Sequence, residues 1–166
     1  MTSERKEKIC QLLKGIETGD PASVAVVNQD KYNQHNPQTR EGGEGLAVLF
    51  KRLSKSAPRV SIVRIFSDGD DVFGHTEYEF SSSRIGFEVF RFEQEQAVEH
   101  WDNIQERKGH NDSGRSMMDG PTEAVDRELT EGNRALVQSF VSAVLIDGQL
   151  DRITEFVDAE DFAEHN

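Results

Sequence analysis

Cysteine is almost missing from this 166-residue chain: Cys10 stands alone. No intrachain disulfide can form and no cysteine cluster can hold zinc, so Cys10 reads as a buried, inert helix thiol. No hydrophobic run approaches membrane-spanning length. The charged N-terminal stretch MTSERKEKICQLL lacks the apolar segment of a secretory signal, and the expectation is a cytoplasmic protein. Basic residues are also scarce, with 19 Lys and Arg against 31 Asp and Glu and a formal charge of −12. That balance argues against a broad nucleic-acid footprint and against adhesion to anionic membranes. There is no close-spaced ligand pair of the HExxH kind, and no lysine–serine pair follows Gly42, Gly43 and Gly45 to make a phosphate loop. His35, His75 and Glu88 would make a histidine–histidine–carboxylate set, but they come from distant segments. No metal and no cofactor are expected.

What is present is an interior's worth of aromatics. Ten phenylalanines against one tryptophan and two tyrosines suggest an aromatic-lined core, which a disordered acidic chain would not carry. The length suits one ordinary domain. From Ser3, the spacing of Ile9, Leu12, Leu13 and Ile16 predicts a helix, punctuated by Gly19-Asp20-Pro21. Pro21 opens a second predicted helix through Val24 and Val27, delivering the chain to Tyr32 and His35 in the stretch YNQHNP. Pro37 removes an amide donor and restricts Asn36, so helix should end there. A third helix is predicted over Leu46 to Leu53. The period then changes to two. RVSIVRIF, DVFGHTEYEF, RIGFEVFRF and AVEHWDNIQ read as antiparallel strands joined by short turns. Such a sheet needs one face covered, and the preceding helices are the available cover: an α+β domain.

Residues 109–129 are rich in Gly, Ser, Asn and Asp and read as a linker. Beyond them, Leu136, Phe140, Val144 and Leu145 give another amphipathic helix ended by Gly148, and a short helix around Ile153 and Phe156 leads to FAEHN. Long helix, glycine break, short helix, aromatic-x-x-His-Asn thus occurs twice, which suggests an internal repeat.

Register decides which polar side chains meet. With a turn at Gln94-Glu95, Glu93 pairs with Gln96, Phe90 opposes Glu99, and Glu88 opposes Trp101. His100 and Asp102 then occupy the other face. With Asp68-Gly69 as the earlier turn, Ile62 opposes His75 and Arg64 opposes Phe73. Arg64, His75, Glu88 and Glu99 are thereby expected on one apolar face. Several charges there suggest a pocket, because each needs a partner or water. A one-residue slip would send Trp101 outward and bring His100 and Asp102 inward.

YNQHNP, SDGDDVFGH, FEVFRF and especially VEHWDNIQ resemble the SnoaL-like branch of the NTF2-like superfamily over roughly residues 8 to 108. The resemblance implies an NTF2-like cone, with N-terminal helices packed in a curved antiparallel sheet around a cavity. It also implies homodimerisation, a small hydrophobic ligand, and polyketide cyclase-like ring closure in some members. Residues 1–108 would form this domain, and residues 130–166 resemble the start of a second one. Position by position, the histidine of the family's QHNP motif falls on His35 and that of its V-x-x-H element on His75. Its D-I-F-R segment falls on Glu88 to Arg91, and E-H-W-D on Glu99 to Asp102. At position 88 the cyclases resemble one another in placing an aspartate, whereas this chain has glutamate, one methylene longer. The turn before the last strand also lacks the usual glycine.

For an enzyme, the expected chemistry is proton transfer next to a carbonyl. Glu88 or His75 would take the proton and Arg64 would hold an oxygen. Tyr32, His35, Phe90, Glu99 and Trp101 would line the ligand site. Each residue has a plainer alternative: His35 as a helix-end histidine, His75 as an ordinary strand histidine, Glu88 with Arg64 as a structural ion pair, Trp101 as core. A non-catalytic ligand-binding or dimerisation module uses the same cavity.

Overall fold

The computed structural model describes residues 2–165. The chain falls into two compact units, residues 1–109 and 110–166.

In the first unit, helix α1 (Thr2–Thr18) buries Ile9, Leu12, Leu13 and Ile16, the stripe predicted from their spacing. Gly19 takes a left-handed φ of 68°, and Asp20 caps a 3₁₀ turn over Pro21–Val26 through the Ala22 amide at 2.9 Å. This turn stops well short of His35, which corrects the longer helix expected there. Residues Asn33–Gln34 instead form a two-residue strand, β1. It is parallel to the last strand, and the His35 amide continues the ladder by donating to the His100 carbonyl at 3.0 Å. Helix α2 (Gly42–Leu53) follows. Four antiparallel strands complete the unit: β2 (Arg59–Asp68), β3 (Asp71–Glu79), β4 (Ser83–Glu93) and β5 (Gln96–Glu106). The sheet order is β1-β5-β4-β3-β2.

The helices cover one face of this curved sheet. The core joins Leu12, Leu46 and Phe50 from the helices to Val60, Val72, Tyr78, Phe90 and Phe92 from the strands. Polar anchors tie α1 to the hairpin ends. Arg5 reaches the Asp70 carboxylate at 2.9 Å and the Gln94 carbonyl at 2.7 Å, and its guanidinium lies 5.2 Å above the Phe92 ring. Gln94, in the turn without glycine, adopts a left-handed φ of 55°. Its carbonyl is held by that arginine.

Two bulges set the register, and both change the expected pairings. In β5, Val98 is an extra residue: Phe92 opposes Ala97, but Arg91 opposes Glu99, Phe90 opposes His100 and Glu88 opposes Asp102. In β2, Val63 is extra, so Ile62 opposes Thr76 while Arg64 opposes His75. The turn there is Gly69-Asp70, with Asp68 facing Asp71.

The second unit has helix α3 (Thr130–Phe140) running into a π-type turn over Val141–Ile146, then Gly148 at a left-handed φ of 70°, then a 3₁₀ turn over Leu150–Glu155. Ala143 and Val144 are buried, whereas Val137, Leu145, Ile146 and Leu150 are exposed. Among the described residues, no helix is long and apolar enough to cross a membrane.

Candidate functional site

Alternation along β4 and β5 turns Glu88, Phe90, His100 and Asp102 toward the helices, the inner face. There, Glu88 is 2% exposed and forms the centre of a hydrogen-bonded chain. Tyr78 Oη donates to Glu88 Oε1 at 2.7 Å, and Glu88 Oε2 lies 2.7 Å from His100 Nε2. His100 Nδ1 lies 2.9 Å from Gln34 Oε1, which also accepts from the Asn36 amide at 3.0 Å. Because that backbone donor fixes the Gln34 oxygen in place, Nδ1 must carry a proton to satisfy it. One further proton is then shared between the imidazole Nε2 and the Glu88 carboxylate. Asn36 Nδ2 donates to Asp102 Oδ2 at 2.6 Å, which orients a second, half-buried carboxylate beside the pair. The YNQHNP stretch therefore reaches the site through Gln34 and Asn36.

Gly86 makes room for this arrangement. A Cβ there would come within 2.6 Å of the Tyr78 ring and 2.8 Å of both Glu88 Oε1 and Thr76 Oγ1. A side chain at position 86 would have to push the phenol off its carboxylate.

The chain of polar groups lies at one end of a cavity of about 450 Å³ between the helices and the sheet, within the usual size of small-molecule sites. Leu13, Ile16, Leu46, Leu49 and Phe50 from the helices and Phe80, Phe90 and Ile104 from the sheet make its apolar wall. Tyr32 also lines it, and its hydroxyl is buried beside Gln34 without a well-formed hydrogen bond. Burial, then the Glu88 and Asp102 charges, push the Tyr32 phenol well above its ordinary range. The Tyr78 phenol is raised by burial first and Glu88 second. Both phenols therefore stay protonated donors.

Of the residues singled out from sequence, Glu88, Phe90 and Tyr32 meet in this cavity. The others do not join them. Arg64 and His75 share the outer face, where Arg64 Nη1 donates to His75 Nδ1 at 2.8 Å and the imidazole stacks on Phe87 at 4.6 Å. Burial, followed by the Arg64 charge, lowers the His75 pKa to about 4, so the ring is neutral with its proton on Nε2. His35, Glu99 and Trp101 are on the same outer face. His35 Nε2 lies 2.9 Å from Glu99 Oε1 and its ring stacks on Trp101 at 4.8 Å. Arg91 completes this group at 2.7 Å from Glu99. His35 first and Arg91 second hold the Glu99 carboxyl below its ordinary range.

For Glu99 and Trp101 the separation follows from the β5 bulge, since Val98 reverses the facing of every β5 residue beyond it; His75 lies outside because the regular β3–β4 register sets it opposite Phe87 while Gly74 faces Glu88, and Arg64 follows as the partner of His75. Counting from the turn thus misassigned His100 and Asp102 to the outside, and it gave no view of Tyr78, Gln34 or Asn36. The available signal was Ala97-Val98, two adjacent apolar residues in an otherwise alternating strand, both of which are buried.

Glu88, His100 and Asp102 present ligand atoms within 4.8 Å of one another, the one such metal-holding set among the described residues. The Glu88–His100 hydrogen bond occupies the space between two of those ligands, so a cation would have to displace its proton. The set suggested by sequence, His35, His75 and Glu88, is divided between the two faces of the sheet.

The fold is that of the NTF2-like proteins. An NTF2-like protein of unknown function from Burkholderia xenovorans LB400 superposes with a TM-score of 0.55 at 13% identity, covering 78% of this chain and 92% of that one. A candidate polyketide cyclase from Bacillus cereus ATCC 10987 matches with a TM-score of 0.54 at 14% identity, over 61% of this chain and 74% of that one. An LEH-like epoxide hydrolase from M. tuberculosis gives 0.52 at 20% identity, over 63% and 84%. No protein-family model and no curated protein matches the sequence.

Proposed function

We propose that this NTF2-like cone binds a small apolar carbonyl compound and moves a proton at the carbon beside the carbonyl. The observation that carries the proposal is the buried Tyr78–Glu88–His100–Gln34 chain ending at an otherwise apolar cavity. In a cavity with this lining, ionisable groups need a use or a partner. Asp102 is the proton acceptor: Asn36 holds its Oδ2, and it faces the cavity at the half-buried end of the group. As the carbon–hydrogen bond breaks, its electron pair moves into the new carbon–carbon double bond and charge develops on the carbonyl oxygen. The Tyr32 hydroxyl, buried and still protonated, donates to that oxygen. The Glu88–His100 pair holds one mobile proton beside Asp102, gives it to the carbon or the oxygen, and is reloaded with the proton that Asp102 took, which restores all three groups. Arg64 and His75, on the other face, brace the sheet.

The test is deuterium exchange at the α-carbon of 2-tetralone, a planar apolar ketone, followed by NMR in heavy water. Wild type should exchange the label faster than buffer, and Asp102→Asn and Glu88→Gln should lose most of that rate, about a hundredfold, while still binding N-phenyl-1-naphthylamine. Binding without exchange would sink the catalytic reading and leave a small-ligand-binding module.

A further inference from the structure

We infer that the natural ligand of this cavity is an apolar molecule carrying one carboxylate, which Arg52 and Arg84 hold at the solvent end while the uncharged end points to Asp102 and Glu88. The inference deepens the cavity reading above and rests on it. Arg52 lies in the last turn of α2 and Arg84 near the start of β4; both line the cavity and both are exposed. Neither side chain makes a hydrogen bond or closes an ion pair among the described residues. That is unusual company in a chain with 31 acidic residues. Arg5, Arg91, Arg107 and Arg152 each hold a carboxylate at 2.7 to 2.9 Å. Arg84 sits opposite Glu106 in the ladder and its charge is felt there, yet no ion pair closes between them, and that carboxylate is engaged by Lys108 at 3.0 Å.

The buried and exposed parts of the cavity lining therefore differ in sign. The buried part of the lining holds the Asp102 carboxylate beside the Glu88–His100 pair, which disfavours an anion, and the exposed part holds two guanidinium groups that close no ion pair among the described residues. A carboxylate placed at the exposed part gains paired N–H donors and keeps its solvent. The same molecule reversed would bring like charges together in a poorly solvated site. Orientation is thus set before any chemistry begins, and the ligand's reactive part is the end away from its charge.

Two dyes with one framework isolate the charge. Anilinonaphthalene sulfonate and N-phenyl-1-naphthylamine differ by a sulfonate, and both brighten in apolar sites. Wild type should bind the anionic dye about three- to tenfold more tightly at low salt, with the preference fading by about 1 M salt. In the Arg52→Gln, Arg84→Gln double variant the two affinities should converge, while unchanged binding of the neutral dye shows an intact cavity. Decanoate should also displace the neutral dye better than decanol from wild type. Equal affinities in wild type, a preference that survives the double variant, or decanol matching decanoate would each overturn the inference. Failure of both dyes to bind would remove the ligand-site reading itself, a separate result from binding of the neutral dye without an anionic preference.

Discussion

Two carboxylate–histidine pairs lie back to back across one sheet, each with one member from the neighbouring β5 residues Glu99 and His100. On the outer face, Glu99 and His35 meet at 2.9 Å with side chains 17% and 46% exposed. On the inner face, Glu88 and His100 meet at 2.7 Å with side chains 3% and 7% exposed. The chemical groups are the same, so their surroundings make the difference. Water and Arg91 share the charge of Glu99, and its ion pairs add little to stability. Glu88 is held by Tyr78 and His100, and without it the Tyr78 hydroxyl and His100 Nε2 would each lose a buried partner. A pair of this second kind is costly to keep and is retained where it is used.

The largest expected effect breaks the inner pair. Glu88→Ala should lower the unfolding free energy by about 3–5 kcal/mol, measured by urea denaturation. A loss below about 1 kcal/mol would mean that water replaces the carboxylate and that the inner site is wetter than its burial indicates. An intermediate effect belongs to His75 on the outer face. Its folded pKa of about 4 lies below the value near 6.5 expected for an unfolded chain. The unfolded chain therefore binds a proton in this window that the folded chain does not. Stability from this group is complete above about pH 6.5 and falls by about 1–2 kcal/mol as the pH drops toward 4, discounted for solvent screening. His75→Gln should flatten that part of the stability–pH curve while still accepting from Arg64, and an unchanged slope would count against a neutral His75. The smallest effect is that of Glu99→Ala, about 0–1 kcal/mol. If it equalled Glu88→Ala in the same urea titration, the contrast between the two faces would be lost.

The architecture was legible because it depends on periods and breaks. Ile9, Leu12, Leu13 and Ile16 mark a helix face whatever lies elsewhere, and alternation in RIGFEVFRF marks a strand. The site was only half legible. Glu88, Phe90 and Tyr32 carry their placement in local pattern, whereas His100 and Asp102 depend on a bulge at Val98, just beyond the chain's reversal at Gln94-Glu95. Such a shift leaves composition and local propensity untouched. Gln34 and Asn36 were hidden for another reason. Their roles require β1 to run parallel to β5, a contact between segments more than sixty residues apart that no local period announces.

Val98 has a meaning beyond geometry. It works as a parity switch: with the extra residue, even-numbered positions from His100 onward read into the cone, and without it they would read out. The Glu99–Trp101 series and the His100–Asp102 series are therefore two alternative linings encoded in one strand. A chain descended from this one could exchange them by losing a single codon, with no substitution anywhere in the site.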